Sequence, residues 1–216
     1  MKITVVYPKS AHSAYKIAAE SFSALALKVS GDECNIVTDE QYQAESSPSD
    51  LVVVIGNDSA NSLYAGLFVS RLADSFNIRY GKDDYCIRTA NIDSTNYLFL
   101  AGGRPRATIY AVYRYFETFC GCRWFWDGDR IKKCALPYKN IDLTASPRFE
   151  YRGVRYFAHR SLHRFQAEHW SYDDWCTEID WMLKKRLNLF MLRIGMDDLF
   201  QKAFPLCEPS GSAHVR

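Results

Sequence analysis

Along the first 145 positions, short unbroken apolar runs alternate with runs whose apolar residues recur every three or four positions, as strands alternating with helices would. Lys2 to Tyr7 reads as a strand. It is followed by a helical pattern from about Ala11 to Val29, with Tyr15, Ala18, Phe22, Leu25 and Val29 on one inner face. Gly31 and Asp32 terminate that helix, Cys34 to Thr38 is a short strand, and Leu51 to Ile55 is an unbroken apolar one. The polar run Asp39 to Asp50 between them reads as a surface loop. Gly56-Asn57-Asp58-Ser59 turns the chain into a helix whose inner residues include Tyr64, Leu67, Phe68 and Leu72. Tyr85 to Ala90 and Tyr97 to Ala101 are predicted as two strands joined by a turn around Asp93-Ser94-Thr95. The second runs through Gly102-Gly103-Arg104-Pro105 into a helix with Ile109, Val112, Tyr113 and Phe116 on one face. Trp124 and Trp126, alternating around Phe125, suggest a half-buried strand. The pattern predicts an α/β or α+β domain over residues 1–145, with a mixed sheet flanked by helices.

From Ser146 onward the pattern is that of a strand, a long loop, a capped helix and a second strand. Ser171 suits the N-cap with Asp174 three residues on, and Asp173 and Asp174 favour the positive end of the helix. Lys184, Lys185 and Arg186 favour the negative end. Trp175, Ile179, Met182 and Leu183 are expected to form its apolar stripe. Leu187 to Ile194 is nearly continuous in apolar residues, as in parallel strands buried on both faces, so a right-handed crossover is expected. The tail Cys207 to Arg216 is small, polar and unpatterned. Two strands without further neighbours expose edges, so residues 147–206 must fold back on the first domain or find a partner to avoid self-association.

Composition narrows the function classes. The 216 residues are 48% hydrophobic, enough for a real core, and the net charge is only +2 with both signs interspersed. That leaves no electrostatic footprint for nucleic acid or an anionic membrane. No apolar stretch approaches the ~20 residues that span a bilayer. The N-terminus reads as a first strand and not as a signal peptide, and seven irregularly spaced cysteines do not form a disulfide framework, so a cytoplasmic location is expected, with export the alternative for a chain whose start is trimmed.

Two sets of residues carry a family resemblance. Pro147, Arg148, Phe149, Arg152 and Gly153 reproduce the Pro-Arg-Phe-x-x-Arg-Gly segment that opens the catalytic barrel of family 20 β-hexosaminidases. Arg155-Tyr156-Phe157, Trp170, Trp175, Glu178-Ile179-Asp180-Trp181-Met182 and Asn188-Leu189 look like the corresponding stretch of family 89 α-N-acetylglucosaminidases. Upstream, Gly102, Gly103, Pro105, Arg106, Tyr110, Tyr113, Tyr115, Phe116, Phe119 and Cys120-Gly121-Cys122-Arg123-Trp124 resemble the accessory domain preceding the barrel in families 89, 20 and 67, the last being α-glucuronidases. The resemblance implies an accessory domain (1–145), the first β/α unit and second strand of an incomplete (β/α)₈ barrel (146–206) and an unstructured tail (207–216). It further implies a retaining glycoside hydrolase of carbohydrate metabolism acting on terminal hexosaminide or uronide linkages. Its partner would be the terminal sugar of an oligosaccharide or glycoconjugate, beside the missing barrel segment or a self-associating copy.

Catalysis by this chain alone is not expected. Glycoside hydrolysis uses two carboxyl groups about 5 to 9.5 Å apart, and a full barrel takes about 250 residues. Only 70 residues follow Ser146, and in the families named the catalytic carboxylates lie on later strands. No catalytic residue is therefore assigned. By the same resemblance Arg152 is a sugar-binding candidate, since a guanidinium fork can grip two vicinal hydroxyls. His159 is a second, standing where family 89 has a pocket Asn, while Ser161 replaces a Cys; these two changes weaken the match to acetylglucosaminide specificity.

Other constellations point to packing. His159 and His163 lack the third ligand of a metal site, and Cys120-x-Cys122 lacks the gap of redox or zinc motifs and reads as thiols packed near Cys134. Gly102-Gly103 has neither a third glycine nor a Lys-Ser/Thr and reads as a tight turn, so no metal or cofactor is expected. Asp197 and Asp198 suit either a pocket or a helix cap. The alternative function class is a non-catalytic carbohydrate-binding or protein-interaction module.

Overall fold

The computed structural model describes residues 1–9, 12–42, 49–71, 77–155 and 170–191. Their elements run β1 (Ile3–Tyr7), α1 (Ser13–Ser30), β2 (Cys34–Thr38), β3 (Leu51–Ile55), α2 (Ser62–Arg71), β4 (Tyr85–Ile92), β5 (Thr95–Gly102) and α3 (Pro105–Phe119). A short hairpin, β6 (Arg123–Phe125) and β7 (Gly128–Arg130), precedes β8 (Asp142–Ala145). The last elements are β9 (Gly153–Arg155), α4 (Tyr172–Lys184) and β10 (Leu189–Met191).

Six strands form one sheet in the order β2-β1-β3-β5-β4-β8. The β2, β1, β3 and β5 strands are mutually parallel, while β4 runs antiparallel to both β5 and β8. The expected α/β domain with a mixed sheet is therefore present. Its apolar strands are explained by burial on both faces. Ile3, Val5, Leu51, Val53, Ile55, Leu98 and Leu100 point to a core shared with α1 and α3. Val6, Val52, Val54 and Phe99 point the other way, toward Tyr64 of α2. The β4–β5 hairpin turns through Asp93 and Ser94, both at positive φ (49° and 66°), the two-residue geometry that matches strand twist.

Three details depart from the sequence reading. β8 was not anticipated: its residues alternate between exposed and half-buried at the sheet edge, so the apolar signal is thin. The β4 and β5 strands each extend beyond the predicted limits toward their tight turn. In α4 the buried stripe is rotated. Ser171 caps the helix with Asp174 in a reciprocal capping box as expected, yet Ile179 is 50% exposed while Glu178 and Met182 are 4% and 6% exposed. The helix lies against α3 and β6, and Glu178 faces that side because Trp126 Nε1 donates to its Oε2 at 2.7 Å. Trp175 packs instead on Trp170 and Phe190, with ring centroids 4.9 and 5.2 Å apart.

The β9 and β10 strands pair in parallel around α4, forming one β/α unit plus the next strand as expected. The continuation of both strand predictions, His159, His163, Ser161, Asp197, Asp198 and the tail 207–216 lie outside the described residues. No helix among the described residues is long and apolar enough to cross a membrane.

Candidate functional site

Seven of the residues singled out by motif, Gly102, Gly103, Arg106, Tyr110, Arg152, Gly153 and Asn188, meet where the six-stranded sheet adjoins the β9–α4–β10 unit, while Tyr115, Phe116 and Cys120 lie in the core. Glycine makes the first part of this junction possible. A Cβ on Gly102 would lie 2.4 Å from the backbone N of Thr108, and one on Gly103 would lie 2.1 Å from the Arg79 carbonyl oxygen. Without side chains, the β5–α3 turn closes on the loop before β4. The Gly103 N–H donates to Asp84 O, and Gly81 N–H donates to Gly103 O, each at 2.8 Å. The turn is thus tied to its neighbour, and the Gly103 N–H is spent on a protein acceptor. Pro105 starts α3, leaving Arg104 and Arg106 on either side of it.

Asp83 sits at the centre with its side chain 5% exposed. Its Oδ1 accepts from Arg106 Nε at 2.8 Å. Its Oδ2 accepts from Arg152 Nη2 at 2.7 Å, Asn188 Nδ2 at 2.8 Å and Arg106 Nη2 at 3.2 Å. Arg104 Nε adds an ion pair to Oδ1 at 3.4 Å. Burial alone would push this carboxyl up. The hydrogen bonds from Arg106, Arg152 and Asn188 outweigh that and hold it below the ordinary aspartate range.

Arg152, the first sugar-binding candidate, is spread over this junction. Besides Asp83, its Nε donates to Arg186 O at 2.8 Å, and its Nη1 donates to Phe149 O at 2.8 Å and Glu150 O at 3.1 Å. Four of the five guanidinium N–H donors therefore already have protein acceptors. The ring of Tyr110 lies beneath the guanidinium, 5.8 Å from it. Asn188 completes the clamp, accepting from Arg152 N at 2.8 Å and donating to Glu150 O at 2.7 Å. Gly153 follows because a Cβ there would lie 2.4 Å from Leu189 O, across the β9–β10 pair.

Further contacts join the same two parts. Tyr110 Oη donates to Leu187 O at 3.0 Å, Arg186 Nη1 to Glu117 Oε2 at 2.8 Å and Lys184 Nζ to Asp129 Oδ2 at 2.5 Å. Burial pushes Glu117 up, but Arg186 and Arg114 bring it below the usual glutamate value. Residues 170–191 therefore fold back on the first domain through a polar interface, the condition set by their exposed edges.

The junction holds ionised, paired carboxylates, which suit docking better than proton transfer. The thiols are equally inert: desolvation raises half-buried Cys34 and buried Cys86 to about 11. Cys134 lies beside the Cys120 carbonyl, Sγ to oxygen 3.7 Å, in the packed thiol group read from the sequence. Among the described residues no His, Cys, Asp and Glu cluster could hold a metal ion.

Two comparisons bear on this arrangement. Over 104 residues, 48% of its length, the chain is 27% identical to human α-N-acetylglucosaminidase. That similarity to a glycoside hydrolase is distant and covers about half of the chain. In fold, 88% of it matches a family GH115 4-O-methyl-α-glucuronidase with specificity for decorated arabinogalactans, at a TM-score of 0.63 and 13% identity. It spans 14% of the length of the human enzyme and 24% of the glucuronidase chain. No family model matches.

Sequence reasoning missed Asp83, which unites Arg106, Arg152 and Asn188 although none of them is near it in sequence. The signal available was an acidic pair, Asp83-Asp84, set directly before an apolar strand.

Proposed function

We propose that this chain is the accessory domain and first barrel segment of a carbohydrate-processing hydrolase, acting on terminal hexosaminide or uronide linkages when a complete barrel is present. The reading is carried by the β9–α4–β10 unit, fixed to the sheet domain by the Asp83–Arg152–Asn188 clamp. A parallel strand–helix–strand unit is the repeating element of a (β/α)₈ barrel. The residues of the family resemblance, Arg106, Tyr110, Arg152, Gly153 and Asn188, are the ones that build its docking surface. The identity to the human α-N-acetylglucosaminidase supports the choice of chemistry.

In this reading the accessory domain is a platform that sets the position of the first barrel strand. Arg152 acts as a positioning residue, and its use as a sugar ligand requires it to exchange bonds to protein acceptors for bonds to hydroxyls. His159 is the pocket residue of this reading, and the cell compartment is taken to be the cytoplasm.

The test is hydrolysis of nitrophenyl N-acetylglucosaminides and glucuronides by a protein in which this chain is joined to a complete barrel, with the present chain as control. Turnover by the former and none by the latter is expected. Turnover of neither substrate class by a protein containing a complete barrel overturns the reading.

A further inference from the structure

We propose that the cleft beneath the β5–α3 turn binds a small oxyanion: the carboxylate of an acidic sugar, or inorganic sulfate or phosphate. The inference does not rest on the relation to glycosidases. The cleft, about 190 Å³, lies between the loop before β4, the turn carrying Arg104 and Arg106, and the segment from Pro147 to Arg152. Six basic side chains line it (Arg79, Lys82, Arg104, Arg106, Arg148, Arg152) against three carboxylates (Asp83, Asp84, Glu150), an excess of three positive charges.

The three carboxylates are already engaged. Asp84 takes Arg79 through two hydrogen bonds of 2.9 Å, Glu150 meets Lys82 at 3.3 Å, and Asp83 is shared by Arg104, Arg106 and Arg152. One carboxylate neutralises one of those three guanidiniums. Arg104 contributes only the 3.4 Å ion pair and remains 28% exposed. Arg148 is exposed, with its guanidinium 5.6 Å from the centre of the Phe149 ring. Among the described residues, neither Arg104 nor Arg148 donates a hydrogen bond to a protein acceptor.

Two guanidinium forks with open donors, in a concave site of net positive charge, form the donor set that carboxylate, sulfate and phosphate groups accept through paired N–H···O bonds. The positive excess strengthens in a cleft with low-dielectric walls and attracts anions selectively. A neutral sugar gains nothing from it. The volume suits one anionic group and a few waters, below the range of larger ligand pockets.

The test is calorimetric titration of the chain with sodium sulfate, sodium phosphate and sodium glucuronate at constant ionic strength, with methyl glucoside as neutral control. Saturable binding of at least one anion is expected, weakened about tenfold in Arg148→Gln and in Arg104→Gln, with no binding of methyl glucoside. Tighter binding of glucuronate than of the inorganic ions assigns the site to an acidic saccharide. Equal or tighter binding of sulfate or phosphate assigns it to a free anion, and either result supports the site. No saturable binding, or binding unchanged in the Arg104→Gln/Arg148→Gln double variant, overturns it. Arg148→Gln is expected to melt near the parent temperature, whereas Arg104→Gln also loses the 3.4 Å ion pair to Asp83. Should Arg104→Gln melt early, Arg148→Gln alone decides, because among the described residues no hydrogen bond or ion pair joins Arg148 to Asp83.

Discussion

Arg152 Nη2 lies 2.7 Å from Asp83 Oδ2 across 69 residues of sequence, and this pair holds the β9–α4–β10 unit on the sheet domain. The energetic asymmetry of such a pair sets the first prediction. Removing one partner of a buried ion pair leaves an uncompensated charge, which costs about 3 to 5 kcal/mol. Asp83→Asn leaves Arg104, Arg106 and Arg152 facing one another without a counter-charge. It is expected to lower the urea unfolding free energy by about 3 kcal/mol. Arg152→Lys is expected to be nearly as damaging, because a single ammonium cannot reach the acceptors of a planar fork. Equal stability of Asp83→Asn and the parent would show that the clamp is not holding the unit.

Acid should weaken the same junction. Asp83, Asp84 and Glu117 all have folded values below their ordinary 3.8, 3.8 and 4.5, where burial is outweighed by Arg106, Arg79 and Arg186 respectively. A depressed carboxyl contributes stability that is fully present above its unfolded value and is lost as pH falls through the folded one. The contribution of these three carboxyls to the unfolding free energy is therefore expected to be flat near neutrality and to drop below pH about 4. Urea midpoints at pH 7 and pH 3.5 measure this. Asp83→Asn is expected to reduce the acid slope, and an unchanged slope in that variant removes Asp83 from the account.

Most of the sheet domain was legible because its strands are apolar on both faces and its helices carry a clear inner stripe. Leu51 to Ile55 and the Ile109, Val112, Tyr113 and Phe116 face are buried as read. The α4 stripe was misplaced because periodicity treats Glu178 as an outward position, whereas an indole N–H from Trp126 makes its burial tolerable. The junction was half legible. Arg106, Arg152 and Asn188 stood out as motif residues, but their common partner lies up to 105 residues away, and no local pattern links them. The resemblance places Arg152 in a sugar pocket, whereas in the fold four of its donors have protein acceptors that no local sequence pattern signals.

Glycine substitutions separate close approach from open space. Gly153→Ala places a Cβ 2.4 Å from Leu189 O, a backbone atom that cannot move without separating β9 from β10. Forced overpacking of this kind costs about 1 to 3 kcal/mol. By contrast, a Cβ on Gly66 in α2 meets nothing within 4 Å, so Gly66→Ala is expected to stabilise by about 0.5 to 1 kcal/mol. Thermal melts of the two variants should move in opposite directions. A Gly153→Ala protein as stable as the parent would show that the β9–β10 spacing is not fixed by this glycine.

Glu178 predicts an effect of opposite sign to Asp83. Burial pushes its carboxyl above the ordinary glutamate value of 4.5, and the hydrogen bond from Trp126 only partly offsets this. One of its oxygens, Oε1, has no hydrogen-bond partner. The folded protein therefore holds a proton on Glu178 more tightly than the unfolded chain does. Stability falls as pH rises from the unfolded value through the folded one and stays lower above it. Glu178→Gln keeps a carbonyl to accept the indole N–H and removes the buried charge. It is expected to stabilise the protein by about 1 kcal/mol at pH 7 and by less at pH 4, where the carboxyl is largely protonated. Paired urea titrations at the two pH values measure the difference. A variant less stable than the parent at pH 7 would mean that the charge on Glu178 is compensated and that the helix is seated by an ionised contact.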